Sequence, residues 1–532
     1  MAGFKRATIR KTAEVDVPQI FPLNRIEGTD QQIAIWREMV YGTKHLVVDA
    51  RAGVGKTFSG LHGLALMQEM DRLPKSVGFC AFTKAVGLEL QKKVPENVRA
   101  GTMHSFGFSA IRYTNRDVKV EGSKLDYLLE RLVNTETFPR YLRSAITKLA
   151  GLCKNTLTGE VEANRGVWHY EVEWDELDEL CNKYAIEVED EDKKDVFELV
   201  GGLLEVSLND EKRIDFDDMI WLPVVKDIRC WKNDLLIVDE VQDLNKTQQK
   251  LMMKMGKRIM VVGDPYQAIF GFRGADSDSF NNTRNMLGDF TELPLTKTRR
   301  CPKSHVEAVQ HLVPDFEAMD DAPEGRILWE EMEQTVRGMQ PEDMVLCRTN
   351  APLISTAFTL LRMKRRVKVL GRDIGKNLMS FIEKLGTGTK GKKKIDRPVG
   401  GILVRLQEYK DREEAKLLRK KYGVSDKLIA LDDKVQCARA FLAEADNLAE
   451  VRTNMRDMFG EQGEDGLEDA VILSSIHKAK GLEARTIRIL RPDLLPHPAA
   501  KTEEDIQQEG NVEYVARTRS MDTLINVTPP AR

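Results

Sequence analysis

The sequence predicts an α/β protein built on parallel sheets, and three observations lead to that prediction. An apolar run over 45–49 is followed by a glycine-rich turn and then by a helical pattern. Further apolar runs over 77–83 and 235–238 also precede helical or acidic segments. A second alternation of the same kind covers 344–372 and 469–483. Strands that alternate with helices form parallel sheets, whose ligands lie at the carboxyl ends of the strands.

Length and composition describe an ordinary globular protein of several domains. The chain has 532 residues, 42% of them hydrophobic, and a net charge of -3, which leaves room for local basic channels. The seven cysteines include no C-x-x-C pair, which argues against a zinc or iron–sulfur site and favours a reducing cytosol. No apolar stretch approaches the ~20 residues of a membrane span. The basic start, Met1 to Lys11, lacks the apolar core of a secretory signal, and we expect either a disordered arm or a short edge strand there.

The segment over 50–57 has the pattern of a phosphate-binding loop, with Ala50 where the first glycine is usual. Glycines let backbone N–H groups approach the β- and γ-phosphates, and the following helix N-terminus adds positive potential. Lys56 would reach the phosphates, and the Thr57 hydroxyl would ligate Mg²⁺. The loop residues expected to hold ATP are Ala52, Gly53, Val54, Gly55, Lys56 and Thr57.

A glutamine upstream of this loop is a candidate for contacting adenine. A helix start near Gly28 has Thr29 as its N-cap. The Thr-x-x-Gln spacing favours Gln32 as the base contact, with Gln31 second. A solvent-facing glutamine on the helix surface explains the same pattern equally well.

Two acids follow the apolar run over 235–238 and predict the second half of a nucleotide site. Asp239 would hold Mg²⁺ directly or through water, and Glu240 would orient and deprotonate the attacking water. An acidic helix cap after a strand is the alternative, which the upstream phosphate loop disfavours.

Charged helical patterns interrupt both α/β units. The first insertion has no phosphate-binding or acid–base constellation, and its acidic run over 187–195 is expected to face solvent. The Gly- and Lys-rich stretch over 386–394 predicts a flexible linker, with contact to a phosphate backbone as the alternative. The predicted divisions are a first domain over 1–107 and 211–300, its insertion over 108–210, a second domain over 301–385 and 465–532, and its reduced insertion over 386–464.

In order, these segments and several others resemble the motifs of superfamily 1A, the UvrD/Rep/PcrA-like DNA helicases. The resemblance runs from about Gln31 to the C-terminus. It rests on the Gln32 region, the segments 50–57, 81–85, 101–105, 239–243 and 262–267, Arg300, and the segments 475–483 and 514–519. It implies two RecA-like P-loop-type domains, each with a mainly helical insertion, with ATP in the cleft between them and single-stranded DNA across both.

The resemblance also implies roles for single residues. Gln267 would sense the γ-phosphate, Arg300 and Arg519 would close on it from across the cleft, and Glu483 would lie near the sugar. Aromatic stacking on bases tolerates any sequence, with core packing as the alternative for each ring. The residues placed along the DNA are Phe82, Thr83, Thr102, His104, Phe270, Phe272, Arg273, Asn350 and His477.

Several positions depart from the family pattern. Met103 replaces an aromatic residue, Phe272 stands where many relatives have Trp, and Ser475 replaces Thr. Arg299 occupies the place of a tyrosine that stacks on the base, so adenine selectivity is expected to be looser. The insertion between Arg372 and Asp469 is shorter than in UvrD and resembles that of phage-encoded and F-box relatives.

The resemblance implies an ATP-dependent DNA helicase or translocase that moves 3′ to 5′ on single-stranded DNA, in replication, repair or recombination. Its partners would be single-stranded DNA, junctions with duplex, and a replication, repair or nuclease protein, with no membrane. It would work in the cytoplasm, of the host if phage-encoded, in association with the nucleoid. One alternative is an ATP-hydrolysing DNA-sensing subunit that does not unwind; the other is an RNA helicase.

Overall fold

The computed structural model describes most of the chain beyond the N-terminal segment. The residues described are 28–133, 138–184, 186, 188–270, 278–370, 372–390, 393–418, 424–459 and 470–528. The predictions made for Met1 to Lys11, Phe272 and Arg273 lie outside these residues.

The elements of the described residues follow the predicted alternation of strands and helices. The strands are β1 (His45–Ala50), β2 (Val77–Ala81), β3 (Val98–Thr102), β4 (Lys119–Val120), β5 (Glu160–Asn164), β6 (Val167–Glu171), β7 (Arg213–Ile214), β8 (Asn233–Asp239), β9 (Gly256–Gly263), β10 (Phe290–Leu295), β11 (Lys297–Thr298), β12 (Glu317–Ala318), β13 (Arg326–Glu331), β14 (Met344–Cys347), β15 (Val367–Val369), β16 (Thr387–Lys390), β17 (Lys393–Asp396), β18 (Val471–Ser475), β19 (Ala484–Leu490) and β20 (Ser520–Thr528).

The helices occur between the strands and in two larger groups. They are α1 (Asp30–Tyr41), α2 (Lys56–Glu69), α3 (Lys84–Lys93), α4 (Met103–Thr114), α5 (Lys124–Leu132), α6 (Arg140–Thr156), α7 (Trp174–Lys183), α8 (Lys193–Asn209), α9 (Asp218–Val225), α10 (Lys246–Met255), α11 (Ser279–Leu287), α12 (Lys303–Glu307), α13 (Met332–Gly338), α14 (Ala351–Arg362), α15 (Arg372–Gly386), α16 (Val399–Leu418), α17 (Val424–Ala443), α18 (Leu448–Phe459), α19 (Ile476–Ala479) and α20 (Glu503–Arg517). No helix of the described residues combines the length and the apolar content needed to cross a membrane.

A six-stranded parallel sheet, here called the first sheet, has the order β10-β1-β9-β8-β2-β3. Its central strands are buried on both faces because helices cover each side, which explains their continuous aliphatic sequences. One face packs against α1 and α2 through Trp36 and Phe79, and the other against α10 through Leu251. All its strands run the same way, so the segments that follow them emerge at one edge.

A second parallel sheet, here called the second sheet, has the order β13-β20-β19-β14-β18-β15. Val512 and Val515 of α20 pack on one face, and Ile354 and Ala357 of α14 pack on the other. The predicted fold class, two parallel-sheet α/β domains with helical insertions, is confirmed.

The first insertion packs around its own core, which also includes residues of α9, and buried charges link α5 and α6 to Asp215 and to Asp218 of α9. Lys154 Nζ lies 2.6 Å from Asp215 Oδ2 and 2.8 Å from Asp218 Oδ1. Lys124 Nζ lies 2.7 Å from Asp218 Oδ2, and neither of those side chains is exposed. These four residues, the buried charge quartet, were not anticipated from the sequence. Helix α4 also crosses the predicted boundary at residue 107.

The second insertion consists mainly of helices, as predicted, but the linker predicted over 386–394 is wrong. Strands β16 and β17 pair as an antiparallel hairpin, with Thr387 opposite Asp396 and Gly388 opposite Ile395. The hairpin leaves α15 at Gly386, where an added Cβ would lie 3.0 Å from Leu448 of α18. The close approach to α18 and the cross-strand bonds order a composition that in isolation favours flexibility.

Candidate nucleotide site and strand path

The phosphate loop joins β1 to α2, as predicted. Gly53 and Gly55 have φ values of 67° and 83°, in the left-handed region that favours glycine. An added Cβ at Gly53 would lie 2.5 Å from Arg300 Cβ, so a side chain cannot fit there. Helix α2 begins at Lys56, which directs its first N–H groups toward the loop. Loop and helix thus form an anion cradle.

The four residues predicted to hold and hydrolyse ATP lie together at this cradle. Thr57 Oγ1 donates to Asp239 Oδ2 at 2.6 Å. Lys56 Nζ lies 2.9 Å from Glu240 Oε1, and the lysine side chain is only 10% exposed. Glu240 has a left-handed backbone (φ 56°) at the end of β8, and it accepts a hydrogen bond from the Gln242 amide. The Asp239 carboxylate therefore contacts Thr57, and the Glu240 carboxylate contacts the preceding residue, Lys56.

Burial and mutual charge set the ionisation of this group. Burial and the charge of Glu240 raise the pKa of Asp239 to about 6. Burial also acts to raise the pKa of Glu240, but the charges of Lys56 and Lys480 hold it at about 2. Burial opposes the charge of Lys56, yet the carboxylates of Glu240, Asp264 and Asp239 raise its pKa. Glu240 is thus the stronger acid of the pair.

Gln267 and Arg519 meet beside the loop, although they come from different sheets. Arg519 Nη2 donates to Gln267 Oε1 at 3.3 Å, and Gln267 Nε2 donates to Asp264 Oδ2 at 2.6 Å. Arg519 also donates to the backbone oxygens of Val515 and Leu482. Burial and the nearby charge of Arg300 lower the pKa of Arg519 to about 10, so an anion placed here would be stabilised.

Arg300 and Glu483 form an ion pair across the two sheets. Arg300 Nη2 and Nε lie 2.5 Å and 2.6 Å from Glu483 Oε2. The resemblance implies different ligands for these residues, the γ-phosphate and the sugar, and the structure brings both to the mouth of the cradle.

Sequence reasoning missed two residues that connect the sheets at this site, Lys480 and Tyr514. Lys480 Nζ lies 2.5 Å from Asp243 Oδ2 and donates to the backbone oxygen of Gln267 at 2.6 Å. The Tyr514 hydroxyl accepts a hydrogen bond from the loop N–H of Ala52 at 2.8 Å. Both residues lie inside segments that carried the family resemblance, but their partners are more than 200 positions away, and no local pattern shows such pairing.

Both glutamine candidates have protein partners. Gln32 is buried and closes a capping box with Thr29, and its Nε2 lies 3.4 Å from Ser59 Oγ. The side-chain amide of Gln31 makes two hydrogen bonds with Thr296. Its Nε2 donates to the Thr296 hydroxyl at 2.9 Å, and its Oε1 accepts from the Thr296 backbone N–H at 2.9 Å. Gln32 is the one beside the loop, since its Nε2 would lie 3.4 Å from a Cβ at Gly55. Its contact with adenine stays a prediction.

An exposed ring that the sequence did not single out stands beside the loop. Phe58 is 50% exposed on the first turn of α2. One face stacks on His62, with ring centroids 5.5 Å apart and an interplanar angle of 17°. The His62 ring in turn packs against the Trp36 ring, with ring centroids 4.3 Å apart. Phe58 therefore has one face covered by His62 while half of the residue stays exposed.

Two of the aromatic residues predicted to contact DNA form a pair at the edge where β2 and β9 end. Phe82 is 42% exposed, and its ring lies 6.1 Å from that of Phe270 with an angle of 11°. Lys480 Nζ lies 5.1 Å from the Phe270 ring centroid. Phe270 therefore lies beside the same lysine that contacts Asp243 and Gln267.

The polar residues predicted along the DNA hold varied positions. Thr83 and Thr102 cap helices α3 and α4 through their hydroxyls. His104 and His477 are half-buried, and burial lowers the pKa of His104. Asn350 donates from its Nδ2 to Asp433 of α17 at 2.7 Å, a contact the sequence did not anticipate. DNA binding by these residues stays a prediction.

The donor set fits ATP with Mg²⁺. The adjacent oxygens of Thr57 and Asp239 are of the type Mg²⁺ prefers, and burial together with the charge of Glu240 raises the pKa of Asp239. Lys56, Arg300 and Arg519 bring three cationic side chains to the mouth of the cradle, where Lys56 pairs with Glu240 and Arg300 pairs with Glu483.

Comparison with known proteins places the chain among helicases. The family model for the UvrD/REP helicase N-terminal domain matches residues 30–287, and that for the UvrD-like helicase C-terminal domain matches residues 171–528. The ATP-dependent DNA helicase PcrA of Staphylococcus aureus is 23% identical over 90% of this chain and 80% of its own. F-box DNA helicase protein 1 of Schizosaccharomyces pombe is 24% identical over 90% of this chain and 55% of its own. A solved arterivirus nonstructural protein 10 (helicase) matches 94% of this chain and 62% of its own with 10% identity and a TM-score of 0.32.

Proposed function

The chain belongs to the UvrD-like helicase family, and on that premise we propose that it is an ATP-dependent DNA helicase moving 3′ to 5′ on single-stranded DNA. The observation that carries the proposal is the joint placement of Lys56, Thr57, Asp239 and Glu240 in the first sheet with Arg300 and Arg519 at the border of the second. Because both sheets contribute residues to the site, this arrangement suits hydrolysis that depends on the contact between the two sheets. The DNA substrate is inferred from the named relatives, and the direction from the family resemblance.

The first sheet binds the nucleotide and activates water. The loop N–H groups and Lys56 hold the phosphates, and Thr57 and Asp239 hold Mg²⁺, which would neutralise charge developing on the phosphate oxygens. Glu240 takes the proton of the attacking water. Its ion pair with Lys56 and the charge of Lys480 keep its pKa at about 2, too low for a good base. When Lys56 pairs with a phosphate instead, that restraint weakens, so ATP binding itself raises the basicity of Glu240.

The arginines make hydrolysis depend on closure. Arg519 reaches the site from the second sheet, and Arg300 is held by Glu483 of the second sheet. A guanidinium supplied across a cleft stabilises the charge of the transition state only when the cleft is closed. The movement between the sheets is thereby tied to each turnover.

The base end of the site is built by different residues from those usual in the family. Phe58 has a half-exposed ring next to Gly55. The backbone N–H of Arg299 donates to the backbone oxygen of Gly53 at 3.0 Å. We take Phe58 as the surface on which the nucleobase stacks, with Gln32 at its edge. Glu483 is assigned to the sugar.

Single-stranded DNA is proposed to lie across the carboxyl ends of both sheets. Phe82 and Phe270 form the stacking surface, and Lys480 lies between that surface and the nucleotide. The remaining predicted contacts are Thr83, Thr102, His104, Phe272, Arg273, Asn350 and His477. Stacking tolerates any sequence, as a motor stepping along DNA requires.

The domain divisions predicted from the sequence are retained as a proposal. The ATPase domain covers 1–107 and 211–300 with its insertion over 108–210, and the second domain covers 301–385 and 465–532 with its insertion over 386–464. We propose work on chromosomal or phage DNA in the cytoplasm, in replication, repair or recombination with a protein partner.

Strand displacement tests this function directly. Duplexes with either a 3′ or a 5′ single-stranded tail are incubated with ATP and the protein, with Lys56→Ala as control. Unwinding of the 3′-tailed duplex alone is the expected result. Unwinding from the 5′ tail would overturn the direction. ATP hydrolysis stimulated by DNA without displacement would replace the helicase with a translocating or sensing subunit.

A further inference from the structure

One helix of the second sheet docks on the segment that follows β9 of the first. Asn511 of α20 donates to the Ala268 oxygen at 3.0 Å. Tyr514, one turn later, contacts Asp264, and Arg519 just beyond the helix contacts Gln267. The helix is therefore held on the first sheet along the whole stretch that leads to Arg519.

Within this contact, the Tyr514 hydroxyl also reaches the phosphate loop. It accepts from the Ala52 N–H at 2.8 Å and donates to Asp264 Oδ2 at 3.3 Å. Tyr514 is completely buried, and its ring packs edge-on against Phe316 at 5.6 Å. The hydroxyl is thus fixed by its ring, and water has no access to replace it.

The hydrogen bonds of this hydroxyl form one continuous chain from the loop to the arginine. Ala52 donates to Tyr514, and both Tyr514 and Gln267 donate to the same oxygen of Asp264. Gln267 in turn accepts from Arg519. Buried chains of this kind are cooperative, because each hydrogen bond polarises the next in a medium of low dielectric constant.

We propose that Tyr514 is a positioning residue for ATP hydrolysis. Its hydroxyl fixes the position of Arg519 relative to the phosphate loop. The proposal rests on the proposed function of the site. Tyr514 touches neither the phosphates nor the reacting water; it acts through Ala52 on one side and through Asp264 and Gln267 on the other. ATP is held mainly by residues of the first sheet, whereas Tyr514 belongs to the second. Its hydroxyl therefore matters for the closed, reacting arrangement more than for binding.

Tyr514→Phe tests this because it keeps the ring and its packing against Phe316 while removing the hydroxyl. The Ala52 N–H is then buried without an acceptor, and the closed arrangement becomes less populated. We expect kcat of DNA-stimulated ATP hydrolysis to fall about tenfold, with KM for ATP within about twofold of wild type. Tyr170→Phe is the matched control. Tyr170 is also buried and donates to a backbone oxygen, that of Thr158 at 2.7 Å, but it lies in the first insertion. We expect this control to match wild type in kcat.

A double-variant cycle separates positioning from a merely structural role. If Tyr514 acts by placing Arg519, then Tyr514→Phe should cost less than about twofold in kcat in an Arg519→Lys background. If the fold-losses in kcat of the two single variants multiply in the double variant, the proposal is overturned. An unchanged kcat in Tyr514→Phe alone would overturn it as well. If Tyr514→Phe does not fold, Asp264→Asn, which weakens the other end of the chain, is measured in the same cycle. Absence of DNA-stimulated hydrolysis in wild type would instead reject the proposed function, so the two failures are distinguishable.

Discussion

Replacement of Lys480 by Met is expected to loosen the contact between the two sheets. Lys480 and Asp243 form an ion pair 2.5 Å apart, with side chains that are 8% and 1% exposed. Met keeps the length of the side chain but leaves the Asp243 carboxylate buried without its cation. Losing one member of a buried pair typically costs about 3–5 kcal/mol, because the remaining charge is uncompensated.

The size of this loss depends on pH, since Asp243 can take up a proton. Burial raises the pKa of Asp243 to about 6 even though the charge of Lys480 opposes the rise. Without Lys480 the pKa rises further. A carboxyl whose pKa is higher in the folded than in the unfolded state binds more protons when folded, so stability falls as pH rises between the two values. The difference between wild type and Lys480→Met should therefore be small near about pH 5 and grow above about pH 6.

The assay is a urea titration at about pH 5 and at about pH 8, in which unfolding is monitored by energy transfer between dyes attached to the two sheets. Glu333→Gln is the control; it breaks an exposed pair with Arg337, whose side chains are 74% and 73% exposed, and should cost less than about 0.5 kcal/mol. The double variant Lys480→Met with Asp243→Asn should recover most of the loss. A loss below about 1 kcal/mol at pH 8, or the same loss at both pH values, would refute the reasoning.

Four further outcomes are expected from the same site. Glu240→Gln should bind ATP but release no phosphate, because an amide cannot take the proton of water; wild-type phosphate release would contradict the base role. Phe58→Ala should raise KM for ATP without changing inhibition by tripolyphosphate, which has no base to stack. Phe82→Ala should weaken single-stranded DNA binding by about 1–3 kcal/mol in fluorescence titrations. Trp231→Ala, which removes an exposed ring at the opposite edge of the first sheet, should leave that affinity unchanged. The apparent affinity for Mg²⁺ should fall as pH drops below about 6, where Asp239 takes up a proton, and a flat profile between about pH 5 and 8 would count against its role as ligand.

The parts of the site that depend on neighbours in the chain could be predicted from the sequence. The loop over 50–57 and the acids that follow β8 are local signals, because a strand, a turn and a helix start are each written in a few consecutive residues. Parallel strands then bring their carboxyl ends together without further information. This is why Lys56 and Asp239 could be assigned to one site although Asp239 is 182 positions from its contact Thr57 in the sequence.

Contacts between distant segments could not be predicted in this way. Tyr514 and Lys480 act through partners in the other sheet, and the sequence carries no periodicity that records such pairs. Asn350 shows the same limit, since its amide is bonded to Asp433 of an insertion. The hairpin of β16 and β17 was missed because its Gly- and Lys-rich composition favours flexibility and is ordered by pairing between the strands and by the close approach of Gly386 to helix α18.

The buried charge quartet of Lys124, Lys154, Asp215 and Asp218 has a consequence for how this protein can change over generations. Each lysine contacts Asp218, and the loss of any one of the four residues leaves the buried group with an unbalanced charge. A viable path must therefore exchange several members nearly together, or pass through a destabilised intermediate. Relatives of this chain should accordingly show these positions either intact as a set or replaced as a set by apolar residues, with few mixtures between.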